Sequence, residues 1–271
     1  MNQVAFPGLG LNLNISKIAF TLFGVDVYWY AILTAAAIGI GFVYLVFIKP
    51  KNNIFGIKGN DVFDAALYVV PISIIFARLY YVIFNFDIFK DDLLKIFNLR
   101  TGGQAIYGAL IGGLITIIVF CKKRKINILD FLDYIAPMIA LGQSIGRWGN
   151  FFNIEAYGTQ TNLPWRMGII ESGTYIEVHP TFLYEAIVTF FLFIFLTFLT
   201  KKRKYSGQLT YIYLFVYASF RFFIENLRTD SLMFYNIRIS AALSLAICVT
   251  ICSILIKKHV NLKKIEQNKS I

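Results

Sequence analysis

Tyr217, Arg221, Glu225 and Arg228 stand at i, i+4, i+8 and i+11 near the end of an apolar run, a spacing that lines one face of a helix. A lone arginine or glutamate is expensive in hydrocarbon, and such residues mark functional sites by default. Paired at i, i+4, Arg221 and Glu225 offset one another and leave guanidinium N–H groups for a phosphate. The same two residues would also serve as an ion pair that only steadies a helix bundle. A second group lies in GQSIGRWGNFFNIEAYG, Gly142 to Gly158, which holds four glycines, three amide side chains, an arginine and a glutamate where an apolar helix should be ending. Small residues allow close packing, and Arg147, Asn150, Asn153 and Glu155 set donors and acceptors beside it. Arg78 is a further arginine inside an apolar run.

Two more segments carry weaker signals. In TGGQAIYGALIGG, glycines at 102, 103, 108, 112 and 113 flank Tyr107 and let backbone approach a neighbour or a ligand. In VHPTFLYE, His179 precedes Pro180, a helix-start pattern, and Tyr184 and Glu185 follow. Cys121, Cys248 and Cys252 lie at or within apolar runs, with no paired spacing or nearby histidine that would make a metal site. They read as small buried hydrophobes, and neither a metal nor a cofactor is expected.

The elements that must position these residues are membrane spans. Hydrophobic residues make up 58% of the 271, against about 45–50% in soluble domains, and the mean hydropathy is +0.65. A soluble domain is excluded. The expected spans are Val27–Ile48, Val62–Phe84, Gln104–Cys121, Leu129–Gly149, Thr181–Leu199, Gly207–Asn226 and Asn236–Ile256. The expected fold is therefore all-α, a polytopic membrane protein of about seven transmembrane helices forming a single domain over residues 1–271. Met1–Ile15 is apolar and uncharged, without a basic n-region or cleavage site, so the first run reads as retained.

The net charge of +11 is spread in short clusters and not gathered on one face, which argues against nucleic acid as a partner. Of the 26 Lys and Arg residues, 16 fall in alternate loops or the tail: Lys49, Lys51, Lys58, the runs 122–125 and 201–204, then Lys257, Lys258, Lys263, Lys264 and Lys269. The positive-inside rule places that side, with the C-terminus, in the cytoplasm and the N-terminus outside. Helix rise then sets depths from the cytoplasmic face of about 21 Å for Arg221, about 24 Å for Arg78, about 27 Å for Arg147 and Glu225, and about 31 Å for Arg228. Tyr30, Tyr107 and His179 come near the outer ends of their spans. One polar layer in the outer leaflet is expected.

Taken together, GGQAIYGALIGG (Gly102–Gly113), GRWGNFFNIEAYG (Gly146–Gly158), HPTFLYE (His179–Glu185) and RFFIENLRTDS (Arg221–Ser231) resemble the prolipoprotein diacylglyceryl transferase family of bacterial inner membranes, in order and spacing over nearly the whole chain. The resemblance implies transfer of a diacylglyceryl group from phosphatidylglycerol to the lipobox cysteine thiol of a prolipoprotein, giving a thioether and releasing glycerol phosphate, the first step of lipoprotein maturation. The partners implied are phosphatidylglycerol, the signal peptide bearing the lipobox cysteine, and membrane lipid. It makes Arg147 and Arg221 the principal phosphate residues, with Asn150, Glu155, Glu225 and Tyr30 essential beside them and Gly158 and Tyr217 at further motif positions. Arg78 and Arg228 join the lipid-binding set through the polar layer.

The sequence departs from the family at the base. Many members have a histidine where this chain has Tyr107, followed by Gly-Gly where it has Gly108-Ala109. A phenol with a pKa near 10 needs activation to serve as base, so Tyr107, His179, Glu155 and Glu225 stand together as proton acceptors. The competing function is a lipid or anion transporter or flippase, which should carry its polar groups near the midplane and show an inverted repeat. No such repeat is visible.

Overall fold

The computed structural model describes residues 2–49, 54–98, 102–229, 233–235 and 237–269. Lys51, Ser231 and Asn236, which entered the charge count, a motif and a span boundary above, lie outside the described residues, as do the side chains of Lys263, Lys264 and Lys269. Seven α-helices are present among the described residues: α1 (Trp29–Val43), continued by a π turn over Tyr44–Ile48, α2 (Gly59–Phe84), α3 (Ile106–Arg124), α4 (Ile128–Asn153), α5 (Thr181–Thr200), α6 (Gln208–Leu227) and α7 (Ile239–Lys269). Six of them are long and apolar enough to cross a membrane, all but α6. Helix α6 has 20 residues, a length of about 30 Å. Arg221, Glu225 and Asn226 lower its hydropathy, and Thr210, Tyr213, Ala218 and Glu225 are buried along it. Seven such helices fit a polytopic membrane protein.

The all-α expectation needs correction, because short strands precede the first helix and fill two of the stretches between helices. They are β1 (Asn2–Phe6), β2 (Leu11–Ile15), β3 (Ile18–Leu22), β4 (Val25–Tyr28), β5 (Met167–Glu171), β6 (Thr174–Val178), β7 (Met233–Phe234) and β8 (Ile237–Arg238). Two hairpins close through two-residue turns with both residues at positive φ, Phe23-Gly24 (49° and 78°) and Ser172-Gly173 (50° and 83°). Such turns match the right-handed twist of paired strands. A search for runs of about 20 apolar residues passes over strands of four or five. The apolar start read in Met1–Ile15 is largely the β1–β2 hairpin, and the first helix begins at Trp29, after β4, and not at Val27. Helix α4 runs to Asn153, beyond the expected Gly149, which puts Asn150 on the helix.

The chain packs as two compact units, Met1–Gly41 with Ile135–Ile271, and Phe42–Tyr134. In the first, an antiparallel sheet of order β2-β1-β5-β6 lays Val4, Ile15, Met167, Ile169 and Val178 against Phe151 and Phe182. Each large apolar side chain so buried contributes about 1.5–3 kcal/mol, so the sheet is tied to the C-terminal end of α4 and the start of α5. Ser144 on α4 donates to the Ala186 carbonyl on α5 at 2.8 Å.

In the second unit α3 lies close along α2, since a Cβ at Gly112 would stand 2.6 Å from Phe76 Cβ and the Ala105 amide donates to the Ala77 carbonyl at 3.1 Å. Lys49, counted above as a loop charge, is buried: Nζ donates to the Tyr134 carbonyl at 2.5 Å and lies 4.4 Å from the centre of the Tyr134 ring.

Candidate active site

The site in the first unit is built from the ends of α4, α5 and α6. On α4, Arg147 donates to Asn150 Oδ1 at 3.2 Å. Asn150 Nδ2 donates to Glu155 Oε1 at 2.7 Å, and Asn153 Nδ2 donates to the same oxygen at 3.3 Å. Glu155 reaches back because the chain reverses around it: Ile154 and Ala156 sit at φ of 52° and 58°, a left-handed conformation costly for residues with a Cβ and concentrated at functional sites.

The chain then passes through Gly158, which joins three distant segments. Its amide donates to the His179 carbonyl at 2.9 Å, the Thr159 amide to the Leu227 carbonyl at 2.7 Å, and the His179 amide back to the Thr159 carbonyl at 3.0 Å. A Cβ at Gly158 would meet His179 Cβ at 2.8 Å and the Leu227 carbonyl oxygen at 2.9 Å. Only glycine fits where the entry to α5 and the exit from α6 close on this backbone.

Four charged groups from α5 and α6 complete the arrangement. Glu185, 2% exposed on the second turn of α5, pairs with Arg147 at 2.6 Å, with Arg221 at 2.9 Å and with Arg228 at 3.8 Å. Glu225, 1% exposed, pairs with Arg221 at 2.5 Å, as the i, i+4 spacing predicts. Arg238 caps the end of α6, donating to the carbonyls of Glu225 and, at 2.9 Å, of Arg228. Three guanidiniums thus surround two carboxylates, and with Arg238 and Glu155 at the edges offsetting one another the cluster is left with one net positive charge. Arg221 turns one terminal nitrogen to Glu185 and the other to Glu225, a planar fork held between two carboxylates. A monoanionic phosphodiester would bring this cluster to neutrality.

The other expected site residues frame it. Tyr30 lies against the α4 backbone, since a Cβ at Gly149 would stand 2.5 Å from its ring. Tyr217, one turn before Arg221, stacks on Tyr213 with ring planes 6° apart. His179 sits outside the helices, with Nδ1 3.3 Å from the Tyr184 hydroxyl, which accepts from Trp165 Nε1 at 2.7 Å. Burial pushes the imidazole below its ordinary 6.5, so it is neutral at pH 7.

Arg147, Asn150, Glu155, Arg221, Glu225 and Arg228 are therefore brought together. Arg78 and Tyr107 belong to the second unit. There Tyr107 occupies the first turn of α3 with its ring 6.5 Å from that of Tyr80, and Arg78 directs its guanidinium at main-chain carbonyls of the α2–α3 connection. The residue that sequence reasoning passed over is Glu185. It is a carboxylate in an apolar span, the same signal that singled out Glu225, but it stands at the end of the HPTFLYE motif and was read only as part of it.

Fold and site define a polytopic membrane protein with a preassembled, buried cluster suited to an anionic group. A sequence model described as prolipoprotein diacylglyceryl transferase matches residues 17–257. Proteins named phosphatidylglycerol–prolipoprotein diacylglyceryl transferase are similar over most of the chain. The one from Finegoldia magna is 44% identical over 236 residues, 87% of this chain and 92% of its own. Those from Clostridioides difficile and Enterococcus faecalis are 46% identical over 231 residues (85% and 90%) and 43% over 265 (92% and 93%). The chain belongs to the prolipoprotein diacylglyceryl transferase family, and transport as its function loses to group transfer.

Proposed function

We propose that the protein moves the diacylglyceryl group of phosphatidylglycerol onto the lipobox cysteine thiol of prolipoproteins. The sulfur forms a bond to the terminal glycerol carbon of the diacylglyceryl group, and that carbon's bond to the phosphate oxygen breaks. Glycerol phosphate leaves, and the thiol proton passes to a base. The phosphate goes from one negative charge to two, and donors fixed in a water-poor site stabilise such growth most. The single observation that carries this reading is the cluster of Arg147, Arg221 and Arg228 around Glu185 and Glu225.

Arg147 and Arg221 hold the phosphate, Arg228 closes the cluster, and Asn150 and Glu155 set the Arg147 side. Tyr30 and Tyr217 flank the lipid, and Gly158 fixes the backbone between them. His179, kept neutral by burial, accepts the thiol proton, and Tyr107 hydrogen-bonds the lipid, most strongly as charge develops during transfer. The whole chain acts as one transferase domain of the bacterial inner membrane, with its N-terminus outside, its C-terminus cytoplasmic and its site toward the outer leaflet. The clustering of basic residues in alternate loops supports that orientation.

The test is direct. Purified protein, phosphatidylglycerol and a lipobox peptide should give a peptide heavier by one diacylglyceryl group, seen by mass spectrometry. Arg147→Ala and Arg221→Ala should abolish product, whereas Cys121→Ser, a buried thiol on α3, should turn over like the wild type. No product from wild type with active controls, or full rates in the arginine variants, overturns the reading.

A further inference from the structure

Arg78 projects from α2, is 5% exposed, and has all five of its N–H groups committed to backbone oxygens. Nε donates to Ile96 O at 2.8 Å. One terminal nitrogen donates to Gly102 O at 2.6 Å and Gly103 O at 2.9 Å, and the other to Lys95 O at 2.7 Å and Asn98 O at 3.0 Å. The guanidinium also lies 5.1 Å from the centre of the Phe89 ring. A planar fork with five donors is the only side chain able to satisfy five carbonyls from two directions at once. A phosphate could reach it only by displacing them.

The two segments so gathered, 95–98 and 102–103, lead into α3, whose first turn carries Tyr107. The coupling is tight. Gly102 and Gly103 hold φ of 77° and 73°, and a Cβ at Gly103 would come 2.7 Å from an Arg78 nitrogen. The neighbouring Ala77 carbonyl accepts the Ala105 amide at 3.1 Å, and Gly108 packs against Phe76 and Ala77 with no room for a Cβ. Arg78 thus holds the connection, and the connection sets where α3 begins.

We propose that Arg78 is a positioning residue and not a phosphate ligand: it clamps the α2–α3 connection and acts on the transfer reaction through the placement of Tyr107. This rests on Tyr107 taking part in the proposed transfer.

The experiment compares Arg78→Lys, Gly103→Ala, Tyr107→Phe and the Arg78→Lys/Tyr107→Phe double variant, reading kcat, KM for phosphatidylglycerol, and hydrogen exchange of the amides in 86–98 and 103–107. Lysine offers three N–H groups on one atom and cannot hold both segments. Gly103→Ala disturbs the same clamp from the other side, its Cβ crowding the guanidinium and the Tyr81 ring while the arginine itself is kept. Both should lower kcat about 10- to 100-fold, as an ångström of misplacement does, leave KM unchanged and raise exchange in both segments. The double variant should be no slower than the slower single. A raised KM with kcat retained would make Arg78 a phosphate ligand. Unchanged exchange, multiplicative rate losses in the double variant, or a silent Tyr107→Phe each overturn the proposal. If wild type makes no product, the proposed function fails, and the exchange readout still decides whether Arg78 clamps the connection.

Discussion

Glu185→Gln tests the charge arrangement most severely, because one 2% exposed carboxylate faces Arg147, Arg221 and Arg228. Unit charges about 4 Å apart at an effective dielectric near 20 attract by about 4 kcal/mol. Glutamine keeps an acceptor, and so about 1 kcal/mol per hydrogen bond, but it removes the counter-charge of two directly bonded guanidiniums. Losing one partner of a buried ion pair costs about 3–5 kcal/mol. At about 2–4 °C per kcal/mol for chains of this size, the unfolding midpoint should fall by about 10 °C. The cluster left behind carries two net positive charges where it had one, so an anionic ligand should compensate. At saturating lipid, a hold on phosphatidylglycerol a hundredfold tighter in the variant than in the wild type returns about 2.7 kcal/mol, most of the loss. The assay is fluorescence-monitored thermal unfolding in detergent, with phosphatidylglycerol or with the zwitterionic phosphatidylcholine. A fall seen in phosphatidylcholine and largely recovered in phosphatidylglycerol is expected. An unchanged midpoint, or equal losses in both lipids, would refute the reasoning.

Two further outcomes follow from the backbone and from pH. Gly158→Ala should cost about 1–3 kcal/mol, the usual range for overpacking a tight site, because its Cβ meets His179 Cβ at 2.8 Å and the Leu227 carbonyl at 2.9 Å; thermal unfolding reads this, and a wild-type midpoint would contradict the contact. For His179, burial lowers the folded pKa below 6.5, so the neutral form persists as pH falls through 6.5 and is lost only at the lower folded value. The acid limb of kcat/KM should lie below pH 6.5 and vanish in His179→Gln, and an unaltered limb in that variant would remove His179 as the proton acceptor.

What the sequence discloses here depends on where the physics is written. Spans are written locally, in runs of about 20 apolar residues, and an arginine inside one is conspicuous wherever it stands. The i, i+4 spacing of Arg221 and Glu225 became a 2.5 Å pair. The strands were hidden because each has five residues or fewer and several leave most of their residues exposed, so neither length nor alternation marks them; turn residues such as Pro7-Gly8, Gly10, Gly24 and Gly173 were their local signs. Arg78 was conspicuous, but its partners could not be read, since they are main-chain oxygens that any sequence supplies. Gly158 shows the same limit: its constraint comes from His179 and Leu227, remote in sequence.

The two carboxylates raise a question of design that the charge balance answers. Three bare arginines would bind any phosphate, and would hold the product hardest, because glycerol phosphate carries two charges where the lipid phosphodiester carries one. With Glu185 and Glu225 buried among them, the cluster is left at one positive charge, which the phosphodiester neutralises and the departing phosphate exceeds. Under the proposed roles of Arg147 and Arg221, charge developing during transfer would still meet their fixed N–H groups, so that geometry stabilises the transition state, while the free product would find a site whose net charge no longer matches it. Glu185→Gln raises that charge to two. It should therefore strengthen competitive inhibition by glycerol phosphate over wild type even as it slows turnover. Equal inhibition constants in the two proteins would mean that the carboxylates shape the arginines without tuning what they release.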